Sequence, residues 1–259
     1  MPSEIVHRLS PEEEELAAKR EELTRLEAEL ADQELTLASL NAELAAFEGL
    51  YLRNVGVLYA ELDEWNARLA ELRAEQAGTP EAKTGAAKAR SQARESYSAA
   101  HSEAAEVQPF TPSRELRSLY CEAAKRVHPD VAIDEADRIR RERLMKEVNA
   151  AYAAGDEDAL RRVLTDLENS PDAVQGAGVG ADLVRVLRQL RQVRNRIEGI
   201  KLEISKLSDG DLAKFKARVD RAAVEGRDLF TEMADRVRGE ITAARTRFET
   251  ISAETNKRE

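Results

Sequence analysis

Tyr120 to Asp130 reads YCEAAKRVHPD, a helix that runs into a forced stop. Leu116, Tyr120, Ala123 and Val127 are spaced 4,3,4 and share one helical face, while Arg114, Arg117 and Lys125 fall on the opposite side. Ser113 is a side-chain cap for the first turn, so the spacing predicts a helix over Ser113–Val127. Arg114, Arg117, Lys125 and Arg126 against Glu115 and Glu122 give this helix a local charge of +2 in a chain of net charge −10. Pro129 disfavours helical geometry at His128. The His128-Pro129-Asp130 tripeptide is therefore expected in an exposed turn, where side chains serve function more often than packing. There Asp130 could accept a bidentate bond from a partner's arginine, and His128 could donate or accept.

Outward from the turn, Met145, Val148 and Tyr152 form the stripe of a second helix over 135–154. Gly155 suits its left-handed end and Asp156 caps the next helix. That third helix, 157–168, carries Leu160, Val163, Leu164 and Leu167 on one face.

Three further segments join the tripeptide in register: Leu116, Tyr120 and the run Met145-Lys-Glu-Val-Asn-Ala-Ala-Tyr152. Together they resemble the J-domain of DnaJ-family co-chaperones over residues 110–155. Leu116 and Tyr120 stand at helix II positions and the run Met145–Tyr152 reads like the close of helix III. The resemblance implies that the turn couples docking to ATP hydrolysis by a DnaK-type chaperone. It also implies that His128, Pro129, Asp130, Arg114, Arg117, Lys125 and Arg126 are the chaperone-binding residues. The chain departs from the family in several ways. A helix I segment is absent, and the end of a helix over 81–106 is expected to stand in for it. Cys121 and Glu122 replace residues that are usually basic, and Val127 replaces the common tyrosine. The Gly/Phe-rich linker and the CxxCxGxG zinc module are missing.

Leu16, Leu23, Leu30, Leu37, Leu44, Tyr51, Leu58, Trp65 and Leu72 recur every seventh residue, so a helix is expected over 12–76. Leu26, Leu40 and Phe47, then Val55, Leu62 and Leu69, fill the seam between them. The steps Phe47–Tyr51–Val55 are both four residues, a stutter that locally unwinds a supercoil. Lys19 and Gln33 occupy seam positions, where Lys19 is expected to snorkel and Gln33 to tune register. Gly78-Thr79-Pro80 breaks the helix. An alanine-rich helix follows, with Ala82, Ala86, Ala89, Ala93 and Ala100 on one face, expected to fold back antiparallel. Beyond a Gly-rich linker the heptads are regular: Leu183, Val186, Leu190, Val193, Ile197, Ile200, Ile204, Leu207. A last helix is expected over 211–255.

Charged residues make up 35% and aromatics 4%, a balance that belongs to long helices and coiled coils rather than a broad globular core. The chain is acidic, which argues against nucleic acid as a partner, and no apolar run reaches the roughly 20 residues that cross a bilayer. The single cysteine excludes an internal disulfide framework and suits a reducing, cytoplasmic setting. His7, His101 and His128 have no partners at metal-ligand spacing, and no phosphate-binding loop is present. Neither a cofactor, a metal nor a catalytic group is expected.

The expected plan is all-α, with elongated antiparallel coiled-coil arms and a J-like module inserted between them. Its segments are a flexible N-terminus (1–11), a coiled-coil hairpin (12–108), the module (109–169), a linker (170–181) and a C-terminal coiled coil (182–259). Two functions follow from it. One is a co-chaperone that recruits a DnaK-type ATPase while the arms bind a client. The other is a structural adaptor that uses the module as a docking block in a larger assembly. Pairing of the arms within one chain or in a homo-oligomer stays open.

Overall fold

The computed structural model describes residues 10–102, 110–132, 135–168 and 179–256. Among them every regular element is helical. The chain divides into two compact units, Met1–Ala42 with Phe110–Ser208 and Glu43–Pro109 with Asp209–Glu259. These packing units differ from the five contiguous segments expected, because each one joins part of the first long helix to later helices.

In the first unit, α1 (Pro11–Tyr51) contributes its N-terminal part. Ser10 and Glu13 close a reciprocal cap, the Ser10 N–H donating to the Glu13 carboxylate at 2.7 Å and the Glu13 N–H to Ser10 Oγ at 3.3 Å, which satisfies two otherwise orphaned donors. The module is α4 (Arg114–Val127), α5 (Glu135–Ala154) and α6 (Glu157–Glu168). Ser113 Oγ accepts from Leu116 N at 2.8 Å to start α4. Gly155, at φ 71, ends α5: its N–H reaches Tyr152 O and the Asp156 N–H reaches Ala151 O, the paired bonds of a left-handed helix end. The expected stripes are the core. Tyr120, Ala123, Val127, Val148, Tyr152 and Leu160 are all fully buried, and the Tyr120 and Tyr152 rings lie 4.7 Å apart.

α1 supplies a face that closes this core; the end of the helix expected over 81–106 lies outside the described residues from 103 on. Ala31 is buried among the module residues, and Leu35 and Ala38 pack on them. Two alanines seven residues apart let the helices approach closely, and Ser39 Oγ bonds the Tyr152 hydroxyl at 2.8 Å.

The last helix of this unit is α7 (Val179–Ser208). Its start falls inside the expected linker, whose residues 170–178 lie outside the described ones. Leu16, Leu23, Leu30 and Leu37 share a core with Val186, Leu190, Val193, Ile197 and Ile200. Ion pairs flank the seam: Arg20–Asp182, Glu22–Arg194, Glu29–Lys201 and Glu34–Arg196. Their sequence separations are 162 or 172 residues. The midpoint, 167 (183 − 16), puts Leu16 beside Leu183, Leu23 beside Leu190 and Leu30 beside Ile197. A constant separation means a parallel pair, with charges bridging one heptad to the next on both sides of the seam. The antiparallel arrangement expected of these arms is corrected on this point. The parallel register sets Glu22, Glu34 and Glu29 of α1 against Arg194, Arg196 and Lys201. Lys19 snorkels to Glu22 at 3.0 Å, as its seam position requires.

In the second unit, α1 ends in a wide turn at Leu52–Gly56 before α2 (Val57–Ala77). The Val57 N–H reaches back five residues to Leu52 O. This π-type turn absorbs the extra residue of the 4,4 spacing, leaving Phe47 and Val55 buried together against Phe230. Gly78, at φ 64, and the Thr79 cap turn the chain into α3 (Pro80–Ala100). α3 lies antiparallel to α2 as expected. Ala86 and Ala93 are buried, Arg90 bonds Glu71 and Glu64, and Ser96 bonds Asp63 at 2.5 Å.

The helix expected over 211–255 is two, α8 (Asp211–Val224) and α9 (Leu229–Asn256). Gly226, at φ 76, makes the same left-handed end as Gly155, and Asp228 caps the next start through the Thr231 N–H at 3.1 Å. α9 runs parallel to α2: Val237 and Ile241 meet Leu62, Phe248 meets Trp65 at 5.9 Å, and Thr255 meets Gln76.

Candidate functional site

His128 is the hinge of the site. Pro129 forces its backbone to φ −61, ψ 128, out of the helix, and a single 3-10 turn follows over Pro129–Val131. Arg141 from α5 secures the helix end, donating from Nη1 to Arg126 O at 2.8 Å. Its Nε bonds the buried Asp137 at 2.7 Å.

The expected exposed turn is not what these contacts produce. His128 is buried, with 3% of its surface exposed. Its Nδ1 accepts the Asp130 N–H at 3.2 Å, so the proton on Nε2 points to Glu34 Oε1 of α1 at 3.1 Å. Glu34 is itself buried, 5% exposed. The same carboxylate oxygen takes Arg196 of α7 through Nε at 3.0 Å and Nη2 at 2.9 Å. Arg196 also reaches Glu203 at 2.9 Å. A buried carboxylate is tolerated because donors surround it. Burial alone would raise the Glu34 carboxyl. The His128 hydrogen bond and the Arg196 charge outweigh that and hold it below its usual value.

Pro129 and Asp130 are half-buried. The Asp130 side chain is 30% exposed and lies 4.0 Å from His128 Nδ1. Partial desolvation raises its carboxyl above the ordinary value, against the pull of His128 and Arg196. Val131 packs on the seam between α1 and α7.

The basic face of α4 stands apart from this cluster. Arg114, Arg117, Lys125 and Arg126 are exposed. Arg126 pairs with Glu122 at 2.8 Å. Arg114, Arg117 and Lys125 form no ion pair among the described residues. Of the seven residues expected to act together, the structure gathers the tripeptide on one side and leaves the four cations on an open surface.

Three participants escape a reading of the sequence: Glu34, Arg196 and Arg141. Glu34 lies next to the seam residue Gln33, 94 residues from His128, and reads as one solvated flank among many. A sign was present in Ala31, Leu35 and Ala38, a second small-residue stripe on α1 beside the leucine seam.

Among the described residues no group of three or more His, Cys, Asp or Glu is placed to hold a metal, and no helix is long and apolar enough to cross a membrane. No protein-family model, no curated protein and no solved structure matches the chain.

Proposed function

We propose that the chain is a non-enzymatic structural adaptor. It is a coiled-coil frame that carries a J-like module as a docking block for other proteins, with His128 of the tripeptide turned inward as a clamp. The observation that carries this reading is the burial of His128 on Glu34, itself held by Arg196. A side chain that must meet a visiting ATPase has to be reachable; this one is committed to its own frame. The long helices then supply the partner-binding surface, and the clamp fixes the module's angle on α1. The test is affinity capture with the full chain. A stoichiometric partner other than a DnaK-type chaperone, retained by Arg114→Glu/Arg117→Glu, supports the adaptor. Capture of a DnaK-type chaperone alone contradicts it.

A second reading has its own support. Arg114, Arg117 and Lys125 are exposed without ion pairs among the described residues, and Asp130 keeps part of its carboxylate in solvent. Those features suit recruitment of a DnaK-type chaperone, provided that the turn first lets go of Glu34. Steady-state ATP hydrolysis by such a chaperone separates the two. The co-chaperone reading requires stimulation by the wild type or by Glu34→Ala, lost on His128→Gln. Unchanged hydrolysis with all three leaves the adaptor.

A further inference from the structure

Between α8 and α9 the second unit holds a cavity of about 440 Å³, within the size range of small-ligand sites. Its floor is apolar: Phe215 is fixed by edge contact with Phe47 at 5.3 Å, and Met233 lies beside it. Its lining carries four arginines, Arg218 and Arg221 one turn apart on α8, Arg227 in the connection and Arg236 on α9, against two carboxylates, Glu225 and Glu232.

The acidic neighbours are already engaged. Glu232 takes Arg227 in a two-point bond at 2.9 and 2.7 Å, and Glu225 lies 3.9 Å from the same guanidinium. Asp220 holds Lys216, and Asp228 caps α9 through Thr231. Arg236 adds to the field that, led by Arg227, keeps Glu232 below its usual value. Arg218, Arg221 and Arg236 form no ion pair among the described residues. Arg218 and Arg221, together with Arg236 whose charge also acts on Glu232, bring positive charge to one cavity in a chain whose net charge is −10. Planar guanidinium groups match phosphate oxygens in two-point bonds, and an apolar floor below them suits a hydrocarbon or aromatic body.

We propose that this cavity binds a phosphate monoester carrying an apolar group, with Arg218, Arg221 and Arg236 on the phosphate and Phe215 and Met233 under the apolar part. Calorimetric titration of the full chain with phenyl phosphate, inorganic phosphate and benzyl alcohol tests it. Phenyl phosphate is expected to bind saturably and at least about ten-fold more tightly than inorganic phosphate, the effect of one well-made contact. Benzyl alcohol is expected not to bind. Arg218→Gln/Arg221→Gln is expected to weaken phenyl phosphate by about ten-fold or more, with an unchanged thermal melt. Arg236→Gln, a single change on the other helix, gives the same reading should the double variant not fold. Arg238→Gln, which lies outside the cavity, is expected to bind like wild type. Absence of saturable binding, equal affinity for inorganic phosphate, or equal affinity in the arginine variants overturns the proposal.

Discussion

Replacing Glu34 with alanine removes the acceptor on which two helices and one turn converge. The cost follows from what is left behind. His128 loses the acceptor for Nε2–H while 3% exposed, and a buried donor without a partner costs about 1–3 kcal/mol. Arg196 loses the same oxygen, but its side chain is 33% exposed and Glu203 stays within 2.9 Å, so solvent and the second partner absorb most of that loss. The full penalty of about 3–5 kcal/mol for breaking a sealed ion pair therefore does not apply. Glu34→Ala is expected to cost about 2–3 kcal/mol, and Glu34→Gln, which keeps an acceptor for His128, about 1 kcal/mol. Urea unfolding followed by far-ultraviolet circular dichroism measures both. The only tryptophan, Trp65, packs in the second unit, so its fluorescence shows whether a shift reaches that unit. A Glu34→Ala variant within about 0.5 kcal/mol of wild type, the usual range for surface changes, would show that His128 does not depend on this acceptor.

Four other outcomes follow. The Glu34 carboxyl is depressed in the folded state, so its stabilisation is complete above the unfolded value near 4.5 and is lost as pH falls through the folded one. Asp130 is raised, so its ionisation opposes folding as pH rises through its titration range. Asp130→Asn should therefore slightly stabilise at neutral pH where Glu34→Gln destabilises, compared by thermal melts at pH 7 and pH 4. Leu23→Cys/Leu190→Cys in a Cys121→Ser background should oxidise to a disulfide within one chain, seen as a mobility change on non-reducing gels, because parallel pairing sets those positions side by side; no bond under mild oxidation counts against that register. Tyr152→Phe loses the 2.8 Å bond to Ser39 and should cost about 1 kcal/mol; in urea titrations, an unchanged midpoint contradicts that contact. Gly78→Ala forces a side chain to φ 64 and should cost about 1 kcal/mol, read as a lower melting temperature.

What could be read from the chain is what local rules govern. Ser113, Pro129, Gly155 and Asp156 set helix ends through their own backbone chemistry, and the α4 and α5 stripes are buried as their spacing demands. The stutter at Phe47–Tyr51–Val55 marked the wide turn at Leu52–Gly56 for the same reason. Gly226 carried the break between α8 and α9, but a continuing apolar stripe on both sides masked it. The orientation of α7 was hidden because heptads are alike in both directions; only the placement of charges across the partner distinguishes them. The clamp was hidden because burial of His128 depends on Glu34 and Arg196, whose meeting is set by how α1 and α7 pack and not by any neighbour in sequence.

Accessibility of the His128 ring tests the inward clamp most directly. Diethylpyrocarbonate labelling of the full chain, read residue by residue by mass spectrometry, compares it with His101, which is exposed. His128 is expected to stay unmodified while His101 reacts, and Glu34→Ala to bring His128 into reaction. Labelling of His128 at the rate of His101 in the wild-type chain would mean the turn stands open to visitors, and the inward clamp would be wrong.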